Sequence, residues 1–335
     1  MSFRVGIAGH RGYSGAELLR ILAHHCQITP VLLDHREPTS DGPRYLSGLA
    51  PERIACTATD VSDAQLDLVF LAVPHEAALE LVPEMLAAGV KVIDLSGAHR
   101  LKTSEAHLRW YGAAHPRPDL LAEAAYGLPE FHRVAIPGSR LIANPGCYPT
   151  AANLAIKPLI DAQIADLTAG IVCDAKSGVS GAGNKPTTNN SFCEVTENFS
   201  AYAILQHRHV PEILMHSHLG ERDLSFTAQL LPVDRGILET IYFRAARPVT
   251  ESNILDAYTR AYKDEPFIRV HAPGSVPDLH NVARTNFCDI GVRFDSSTGR
   301  GVIVSAIDNL GKGAAGQAIQ NMNLALGLPE TAGLL

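Results

Sequence analysis

Apolar positions in the first half of the chain alternate between short continuous runs and helical spacing. The short runs predict buried strands at Phe3–Ala8, Thr29–Leu33, Leu66–Val73 and Lys91–Leu95. The helical spacing predicts helices at Ala16–Ala23 and Glu76–Ala88. Gly89 is placed to end the second helix, and Ser14 with Glu17 forms the pattern of a capping box for the first. This β-α-β rhythm predicts a parallel, doubly wound sheet.

The second half carries more strands and fewer intervening helices. Strand patterns occur at 170–175, 225–231, 240–245, 289–294 and 301–307. Helices are predicted after Cys147, at Ile254–Tyr262 and at Gly313–Leu326. The predicted fold class is therefore α/β. It comprises a Rossmann-type dinucleotide-binding domain and an α+β catalytic and dimerisation domain with a mostly antiparallel sheet.

Composition narrows the possible partners. A chain of 335 residues is long enough for two domains, and its net charge of −7 comes without a basic block, which argues against nucleic acid. No apolar run approaches the roughly 18–20 residues that a membrane span needs, and the N-terminus starts directly with a strand pattern instead of a signal peptide. The six cysteines are scattered without a C-x-x-C pair, which indicates free thiols in the cytoplasm.

A glycine-rich turn joins the first predicted strand to the first predicted helix. Gly9, Gly12 and Gly15 have the spacing G-x-x-G-x-x-G, in the context that a dinucleotide-binding turn requires. The helix start would supply N–H groups to a pyrophosphate. An ordinary βα turn is the alternative interpretation.

The residues after the second strand leave NAD and NADP open. Asp34 lies where a carboxylate for the NAD ribose is expected. Arg36, Thr39 and Ser40 follow at once and can bind a 2′-phosphate.

A cysteine on a Pro/Gly turn is the strongest chemical signal. Cys147 lies in Asn-Pro-Gly-Cys-Tyr-Pro-Thr, directly before an apolar helical pattern. A thiol at a helix N-terminus is expected to have a lowered pKa and to be nucleophilic near neutral pH. Together with the glycine-rich turn, this predicts covalent chemistry on an acyl group coupled to hydride transfer.

Two further segments are candidates for the same site. Lys176–Gly183 is a Gly/Ser-rich loop that can close on a phosphate or a nicotinamide, with a plain hairpin as the alternative. His207 and His209 can carry protons near neutral pH. With His216 and His218 they also suggest a zinc site on a strand, but no carboxylate or thiol lies at ligand spacing, so no metal is predicted.

The chain resembles the N-acetyl-γ-glutamyl-phosphate reductases, the NADPH-dependent enzymes of arginine biosynthesis, from Val5 to about Glu330. The motifs that carry the resemblance occur in order: Gly9–Glu17, Asp94–Gly97, Ala125–Leu128, Asn144–Thr150, Ser177–Gly183, His207–Ile213, Arg235–Leu238 and Asp308–Gly313. Asn-Pro-Gly-Cys-Tyr-Pro-Thr together with His-Arg-His-x-Pro-Glu-Ile is highly specific.

The resemblance implies roles for individual residues. It implies Cys147 as nucleophile and His207 as acid/base residue, and it implies that substrate contacts come from Arg100, Asn144, His209 and Arg235. It implies that NADP(H) is bound by Gly9, Arg11, Gly12, Tyr13, Ser14, Gly15, Ser177, Gly178, Asn309 and Lys312, and the position of Arg36 and Ser40 after the second strand predicts that they contact its 2′-phosphate. The dinucleotide domain would span 1–146, completed by the C-terminal helix 313–335, and 147–312 would form the catalytic and oligomerisation domain of a dimer or tetramer. Asp34-His35-Arg36 departs from the small polar residues of relatives.

The implied reaction is reduction of N-acetyl-γ-glutamyl phosphate to N-acetylglutamate 5-semialdehyde and phosphate through a cysteine thioester. An aspartate-semialdehyde dehydrogenase would use the same chemistry on another small-molecule substrate. A non-catalytic dinucleotide-binding regulator would not need the thiol and the histidine. A metal-dependent hydrolase would leave the glycine-rich turn unexplained.

Overall fold

The computed structural model describes residues 2–35 and 51–335, and within these residues the chain forms two compact units. The parallel-sheet unit comprises Met1–Arg100, Pro116–Asn144 and Ala318–Leu334. The mixed-sheet unit comprises Leu101–His115 and Pro145–Gln317, with the terminal Leu335. No helix in the described ranges is long and apolar enough to cross a membrane.

The described residues form fourteen strands and eleven α-helices. The strands are β1 Phe3–Ala8, β2 Ile28–Asp34, β3 Glu52–Ala55, β4 Leu68–Leu71, β5 Lys91–Asp94, β6 Ala125–Tyr126, β7 Leu141–Ala143, β8 Ile171–Gly178, β9 Ser200–Tyr202, β10 Leu224–Leu231, β11 Ile237–Arg244, β12 Ile268–Val270, β13 Cys288–Asp295 and β14 Arg300–Ile307. The helices are α1 Tyr13–Leu22, α2 Ala58–Asp63, α3 His75–Ala87, α4 Ser104–Tyr111, α5 Pro118–Glu123, α6 Pro129–His132, α7 Cys147–Asp161, α8 Phe192–Val195, α9 Val210–Ser217, α10 Glu251–Ala261 and α11 Gly316–Ala325. A π-helical turn, Gly311–Ala315, leads into α11.

The first sheet is parallel throughout its described pairs. Its strand order is β3-β2-β1-β4-β5-β7-β6, with β1 between β2 and β4. Every residue of β4 is buried, as expected for a strand covered on both faces. The predicted Rossmann-type sheet is confirmed.

The start of α1 differs from the prediction. The helix begins at Tyr13 with Gly12 as its N-cap, and no side chain caps it. Ser14 is therefore inside the first turn, and Glu17 pairs with Arg20 at 2.7 Å instead of closing a capping box. The glycine turn sets this boundary because Gly9 adopts a φ of +81° and accepts a hydrogen bond from the Gly12 N–H at 3.0 Å.

The second sheet is mixed and mostly antiparallel, as predicted. Its order is β12-β13-β14-β11-β8-β10-β9, and the β12–β13 and β8–β10 pairs are parallel. The segment expected to be a loop from Lys176 is still strand through Gly178, because it pairs with both β10 and β11. One face of this sheet packs on α7, which is buried from Tyr148 through Ile156.

The prediction missed three helices of this unit, α4, α8 and α9. Helix α9 starts at Val210, directly after the His-Arg-His motif, with Pro211 in its first turn. His207 and His209 thus lie in a turn and at a helix start, and not on a strand face as the metal interpretation assumed.

Candidate active site

Cys147 is the first residue of α7, as predicted. Its N-cap, Gly146, is extended, with φ −67° and ψ 152°, and has no side chain to cap the helix. The Gly146 carbonyl accepts the first helical hydrogen bond, from the Thr150 N–H at 3.0 Å. The N–H groups of the first turn are not used within the helix, so they can face an anion at the partly exposed thiol.

Two glycines let other segments approach this turn. A Cβ on Gly146 would lie 2.7 Å from Nε2 of His209, and a Cβ on Gly313 would lie 2.9 Å from the Cβ of Cys147. Real Cβ atoms do not come this close. The His209 ring and the π-helical turn at Gly313 therefore pack directly against the turn that carries Cys147.

His207 is buried among aromatic rings beside the same turn. Its ring lies edge-on to Tyr148, with centroids 5.4 Å apart, and contacts Phe226 at 5.6 Å. Its Nδ1 accepts a hydrogen bond from the His209 backbone N–H at 3.1 Å, which assigns the proton of the neutral ring to Nε2. Burial, reinforced by the Arg208 charge, lowers the pKa of His207 to about 4. The ring is therefore neutral at physiological pH and presents an Nε2–H donor.

Glu212 is a site residue to which sequence reasoning gave no role. Its side chain is fully buried, and its Oε2 accepts a hydrogen bond from the Gly146 N–H at 3.0 Å. The signal was present in the motif His-Arg-His-x-Pro-Glu-Ile. Only the packing of α9 on α7 shows that this glutamate reaches the residue before the nucleophile.

The other cysteines lack this setting. Burial raises the pKa of Cys56 to about 12 and raises that of Cys173 well above its usual range. Cys288 is buried, and Cys26 and Cys193 are exposed. None of these five is the first residue of a helix with an uncapped N-terminus.

The predicted residues Ser177, Gly178, Arg235 and Asn309 belong to one hydrogen-bonded region of the mixed-sheet unit, and Lys312 follows Asn309 closely in the chain. The Asn309 side chain accepts from the Gly236 N–H at 2.7 Å and donates to Ser180 at 2.9 Å. The Gly178 N–H donates to the Gly236 carbonyl, and Ser177 is buried beside it. The side chains of Asn309, Ser177 and Arg235 therefore lie in or beside the same set of loops.

Two charged residues of this region are held by neighbours. Arg235 Nη1 lies 3.4 Å from the fully buried carboxylate of Asp308. Lys312 is fully buried, with its Nζ 5.6 Å from the ring centre of Phe267. Each cation is thus held in position by the protein, and Lys312 lies in a π-helical turn of the kind often found at functional sites.

Arg100 and Asn144, two predicted substrate ligands, are brought together in the parallel-sheet unit. Arg100 Nε donates to the Asn144 carbonyl at 2.8 Å, and Nη2 donates to the Leu95 carbonyl at 2.8 Å. Nearby in sequence, Asp94 pairs with His99 at 2.8 Å. Burial would raise the pKa of Asp94, but hydrogen bonds from His99 and Ser96 outweigh it, and the pKa is lowered.

The glycine-rich turn makes close backbone contacts at two glycines and leaves the start of α1 uncapped. A Cβ on Gly9 would lie 2.1 Å from the Ala72 carbonyl oxygen, and one on Gly15 would lie 2.3 Å from the Gly9 oxygen. At Gly12 the nearest such neighbour is 3.5 Å away, so the helix start is open. Gly12, Tyr13 and Ser14 head α1 without a side-chain cap, which leaves room for a pyrophosphate.

The Asp34 carboxylate, at the end of β2, forms ion pairs with two arginine side chains. Arg53 binds Asp34 through Nε and Nη2 at 2.8–3.1 Å, and Arg11 donates to it at 3.1 Å. His10 lies 3.7 Å from the same carboxylate. Arg53 is a cationic neighbour that sequence reasoning missed, because β3 lies 19 residues beyond Asp34. Arg36, Thr39 and Ser40 lie outside the described residues.

Gln317, which sequence reasoning also missed, is fully buried. Neither its amide oxygen nor its amide nitrogen has a hydrogen-bond partner among the described residues. Such a group fits a ligand that offers both a donor and an acceptor. Within residues 2–35 and 51–335, no three His, Cys, Asp or Glu side chains converge as metal ligands.

Comparisons with known proteins identify the family. Residues 4–139 match the family model described as the semialdehyde dehydrogenase NAD binding domain. Residues 147–309 match the semialdehyde dehydrogenase dimerisation domain. The N-acetyl-gamma-glutamyl-phosphate reductase of Symbiobacterium thermophilum is 46% identical over 100% of this chain and 98% of its own length. The chain belongs to the N-acetyl-gamma-glutamyl-phosphate reductase family. The enzyme of that name from Geobacter sulfurreducens is 45% identical, over 99% and 97% of the two chains.

Membership of the N-acetyl-gamma-glutamyl-phosphate reductase family makes the chain an oxidoreductase with a nicotinamide dinucleotide-binding domain. The predicted resemblance is confirmed. Solved structures agree on the fold: aspartate semialdehyde dehydrogenase II of Vibrio cholerae has a TM-score of 0.73 at 20% identity, over 98% of this chain and 99% of that one. Aspartate semialdehyde dehydrogenase with NADP from Candida albicans has a TM-score of 0.69 at 14% identity, over 97% and 98%.

Proposed function

We propose that the chain reduces N-acetyl-γ-glutamyl phosphate to N-acetylglutamate 5-semialdehyde and phosphate, with NADPH, in arginine biosynthesis. The observation that carries this proposal is the placement of Cys147 at the uncapped start of α7. The names of relatives that match the whole chain supply the substrate.

The first half of the proposed reaction uses Cys147 and the start of α7. The thiolate attacks the γ-acyl carbon and forms a C–S bond. The resulting oxyanion is stabilised by N–H groups at the helix start. The carbonyl then re-forms, the bond to the phosphate oxygen breaks, and phosphate leaves with that electron pair, which yields a thioester on Cys147.

In the second half, the thioester is reduced and released. When bound, NADPH supplies the hydride and with it the two electrons of the reduction. The reduced carbon bears an oxyanion while still bonded to Cys147, and the neutral His207 ring stabilises this hemithioacetal oxyanion by donating a hydrogen bond from its Nε2–H. The carbonyl then re-forms, the C–S bond breaks with its electron pair going to sulfur, and the aldehyde and the thiolate are released.

Substrate contacts are proposed at four positions. Arg100 is a candidate for the phosphate, because its guanidinium is fixed by two backbone carbonyls, one of which belongs to Asn144. His209 packs on the nucleophile turn, and Arg235 is held by Asp308 in the loop region described above. These fixed positions suit binding of an anionic acyl phosphate.

The cofactor is proposed to be NADPH in preference to NADH. Gly9, Gly12 and Gly15 would receive the pyrophosphate with Tyr13 and Ser14, and Ser177, Gly178, Asn309 and Lys312 would line the nicotinamide. Asp34 is neutralised by Arg53 and Arg11, which leaves one net positive charge in this group of three. That charge favours a 2′-phosphate and offsets the repulsion expected from a bare carboxylate. Arg36 and Ser40 remain candidates for the same phosphate.

The assembly is proposed to be a homo-oligomer formed through the mixed-sheet unit. Val172 of β8 and Tyr242 of β11 face each other across the strand pair and are 44% and 45% exposed. An apolar pair in the middle of a sheet suits contact with a second copy. Sedimentation of Tyr242→Glu should show a smaller assembly than the unsubstituted chain, and an unchanged mass would place the interface elsewhere.

The domain boundaries stay as proposed, with 1–146 and 313–335 in the dinucleotide domain and 147–312 in the catalytic domain. The two compact units support this for most of the chain, but Leu101–His115, 145–146 and 313–317, with the terminal Leu335, group with the mixed sheet. The cytoplasm is the proposed compartment, supported by six free cysteines.

The deciding experiment runs the reaction backwards. Purified protein is mixed with NADP⁺, phosphate and either N-acetylglutamate semialdehyde or aspartate semialdehyde, and NADPH absorbance is followed. Phosphate-dependent reduction with the acetylated substrate alone is the expected result. Turnover of aspartate semialdehyde would instead assign the other semialdehyde dehydrogenase activity, and no turnover with either would refute the proposed reaction.

A further inference from the structure

Glu212 is a carboxylate with no exposed surface, and its described contact is with the turn that carries the nucleophile. The Gly146 N–H donates to its Oε2 at 3.0 Å. A fully buried carboxylate is costly unless hydrogen bonds satisfy it. Glu212 lies in the first turn of α9, where the helix dipole favours a negative charge. The bond to Gly146 is thus part of what makes this buried position tolerable.

The same helix start touches the nucleophile turn a second time. His209 is the N-cap of α9, and its ring packs against the Cα of Gly146, where a Cβ would be 2.7 Å from Nε2. Glu212 therefore accepts a hydrogen bond from the Gly146 N–H, while the His209 ring covers the Gly146 Cα. Between them they leave this residue little freedom to rotate.

The bond also determines which N–H groups remain at the start of α7. Pro145 and Pro149 have none, and the Thr150 N–H is used by the Gly146 carbonyl. With the Gly146 N–H held by Glu212, the N-terminal donors that α7 itself does not use are those of Cys147 and Tyr148. An oxyanion at Cys147 would meet these two donors.

We propose that Glu212 is a positioning residue for Cys147: it holds the Gly146 peptide so that the thiolate and the N–H groups of Cys147 and Tyr148 keep their mutual geometry. This rests on the proposed function of Cys147 as nucleophile. The role requires a side chain of the same length as Glu that ends in an acceptor oxygen, and it does not require a negative charge. Gln can supply that oxygen, whereas Ala cannot.

The test compares Glu212→Ala and Glu212→Gln with Ser217→Ala. Ser217 is the matched control because its hydroxyl donates a buried 2.7 Å hydrogen bond to Asn153 and so also joins α9 to α7, away from the nucleophile turn. The first readout is the rate of Cys147 alkylation by iodoacetamide between pH 6 and 9, followed peptide by peptide. The exposed Cys26 and Cys193 serve as internal references.

We expect Glu212→Ala to slow Cys147 alkylation at pH 7 about tenfold and to lower kcat by about 10–100-fold with little change in KM, the range for a misplaced reacting group. Glu212→Gln should stay within about threefold of the unsubstituted chain in both measurements, and Ser217→Ala should leave the alkylation rate unchanged. Unchanged alkylation in folded Glu212→Ala would overturn the proposal. Equal losses in Glu212→Gln and Glu212→Ala would also overturn it, because the charge would then be what matters.

Alkylation needs neither substrate nor cofactor. It therefore reports on Glu212 even if the proposed reaction is wrong. If Glu212→Ala does not fold, the Glu212→Gln result decides: near-normal alkylation supports the acceptor role, and a tenfold loss contradicts it.

Discussion

The chain begins two helices in the same way and uses the two starts differently. Helices α1 and α7 both follow a strand, both have a glycine N-cap in extended backbone, and neither has a side-chain cap. At Gly12 the space is open, with a single neighbour at 3.5 Å from where a Cβ would be. At Gly146 the same space is filled by the His209 ring, and the N–H is taken by Glu212.

This difference shows that side chains from other segments determine which function a glycine-headed helix start suits. An open, uncapped helix start suits an anion that enters and leaves, such as the pyrophosphate of a cofactor. A helix start whose N-cap residue is covered and hydrogen-bonded by neighbouring side chains suits a nucleophile, because covalent chemistry depends on holding the reacting atom in place. The substitutions below test the comparison from the largest expected effect to the smallest.

Cys147→Ser should abolish reduction while the fold and cofactor binding persist. The hydroxyl fits the same space, but its pKa is too high to give a useful anion at neutral pH. We expect kcat/KM to fall by at least ~10³-fold. The control is Cys26→Ser, which removes an exposed thiol and should be silent. If the activity of Cys147→Ser stays within tenfold of that of the unsubstituted chain, Cys147 at the start of α7 is not the nucleophile.

His207→Asn should lower kcat by about 10²–10⁴-fold, the range for losing general acid–base catalysis. His209→Asn should cost less. Since burial lowers the pKa of His207 to about 4, the ring stays neutral from pH 6 to 8, and its ionisation should add no limb to the pH profile of kcat/KM in that window. If kcat falls more in His209→Asn than in His207→Asn, His209 is the acid/base residue and His207 is not.

Arg53→Ala should shift cofactor preference from NADPH toward NADH. The change removes the two-pronged partner of Asp34 and leaves a carboxylate that repels a 2′-phosphate and can bind ribose hydroxyls. We expect the ratio of kcat/KM for NADPH to that for NADH to fall about tenfold.

Arg4→Ala is the control for this cofactor effect, since Arg4 forms an exposed ion pair with Glu52 on the same sheet. Equal losses for both cofactors in Arg53→Ala would mean that this cluster does not select the phosphate. An unsubstituted chain that prefers NADH would mean that Asp34 binds the ribose.

Glu239→Gln should stabilise the protein at neutral pH. Glu239 is as buried as Glu212, but its Oε1 has no hydrogen-bond partner among the described residues, and burial raises its pKa well above the usual range. The folded state then holds a proton that the unfolded state releases, so stability falls as pH rises above about 4.3.

We expect Glu239→Gln to raise the free energy of unfolding by about 1–2 kcal/mol at pH 8, with the gain vanishing near pH 4. Urea unfolding at both pH values measures it. A loss of stability at pH 8 would show that the ionised Glu239 carboxylate is stabilised by its surroundings. Glu239 would then resemble Glu212, whose carboxylate accepts a hydrogen bond.

Local patterns predicted much of this molecule. The strands β1, β2 and β4, the glycine turn and the start of α7 at Cys147 all follow from apolar runs and turn residues close together in the chain. The capping box at Ser14 was wrong because the glycine turn starts the helix at Tyr13. The prediction missed α9 because its start, His209-Val210-Pro211, lacks a Ser, Thr, Asp or Asn cap and its apolar stretch is short.

The sequence by itself determined where two glycine-headed helix starts would lie and that one of them carries a thiol, because helix starts depend on neighbours within a few residues. Only the tertiary structure decided that Glu212, 66 residues from Gly146, accepts a hydrogen bond from the Gly146 N–H, and that Arg53 binds Asp34. Hydrogen bonds and ion pairs of this kind depend on which helices and strands pack together, and that packing follows from burial over the whole domain.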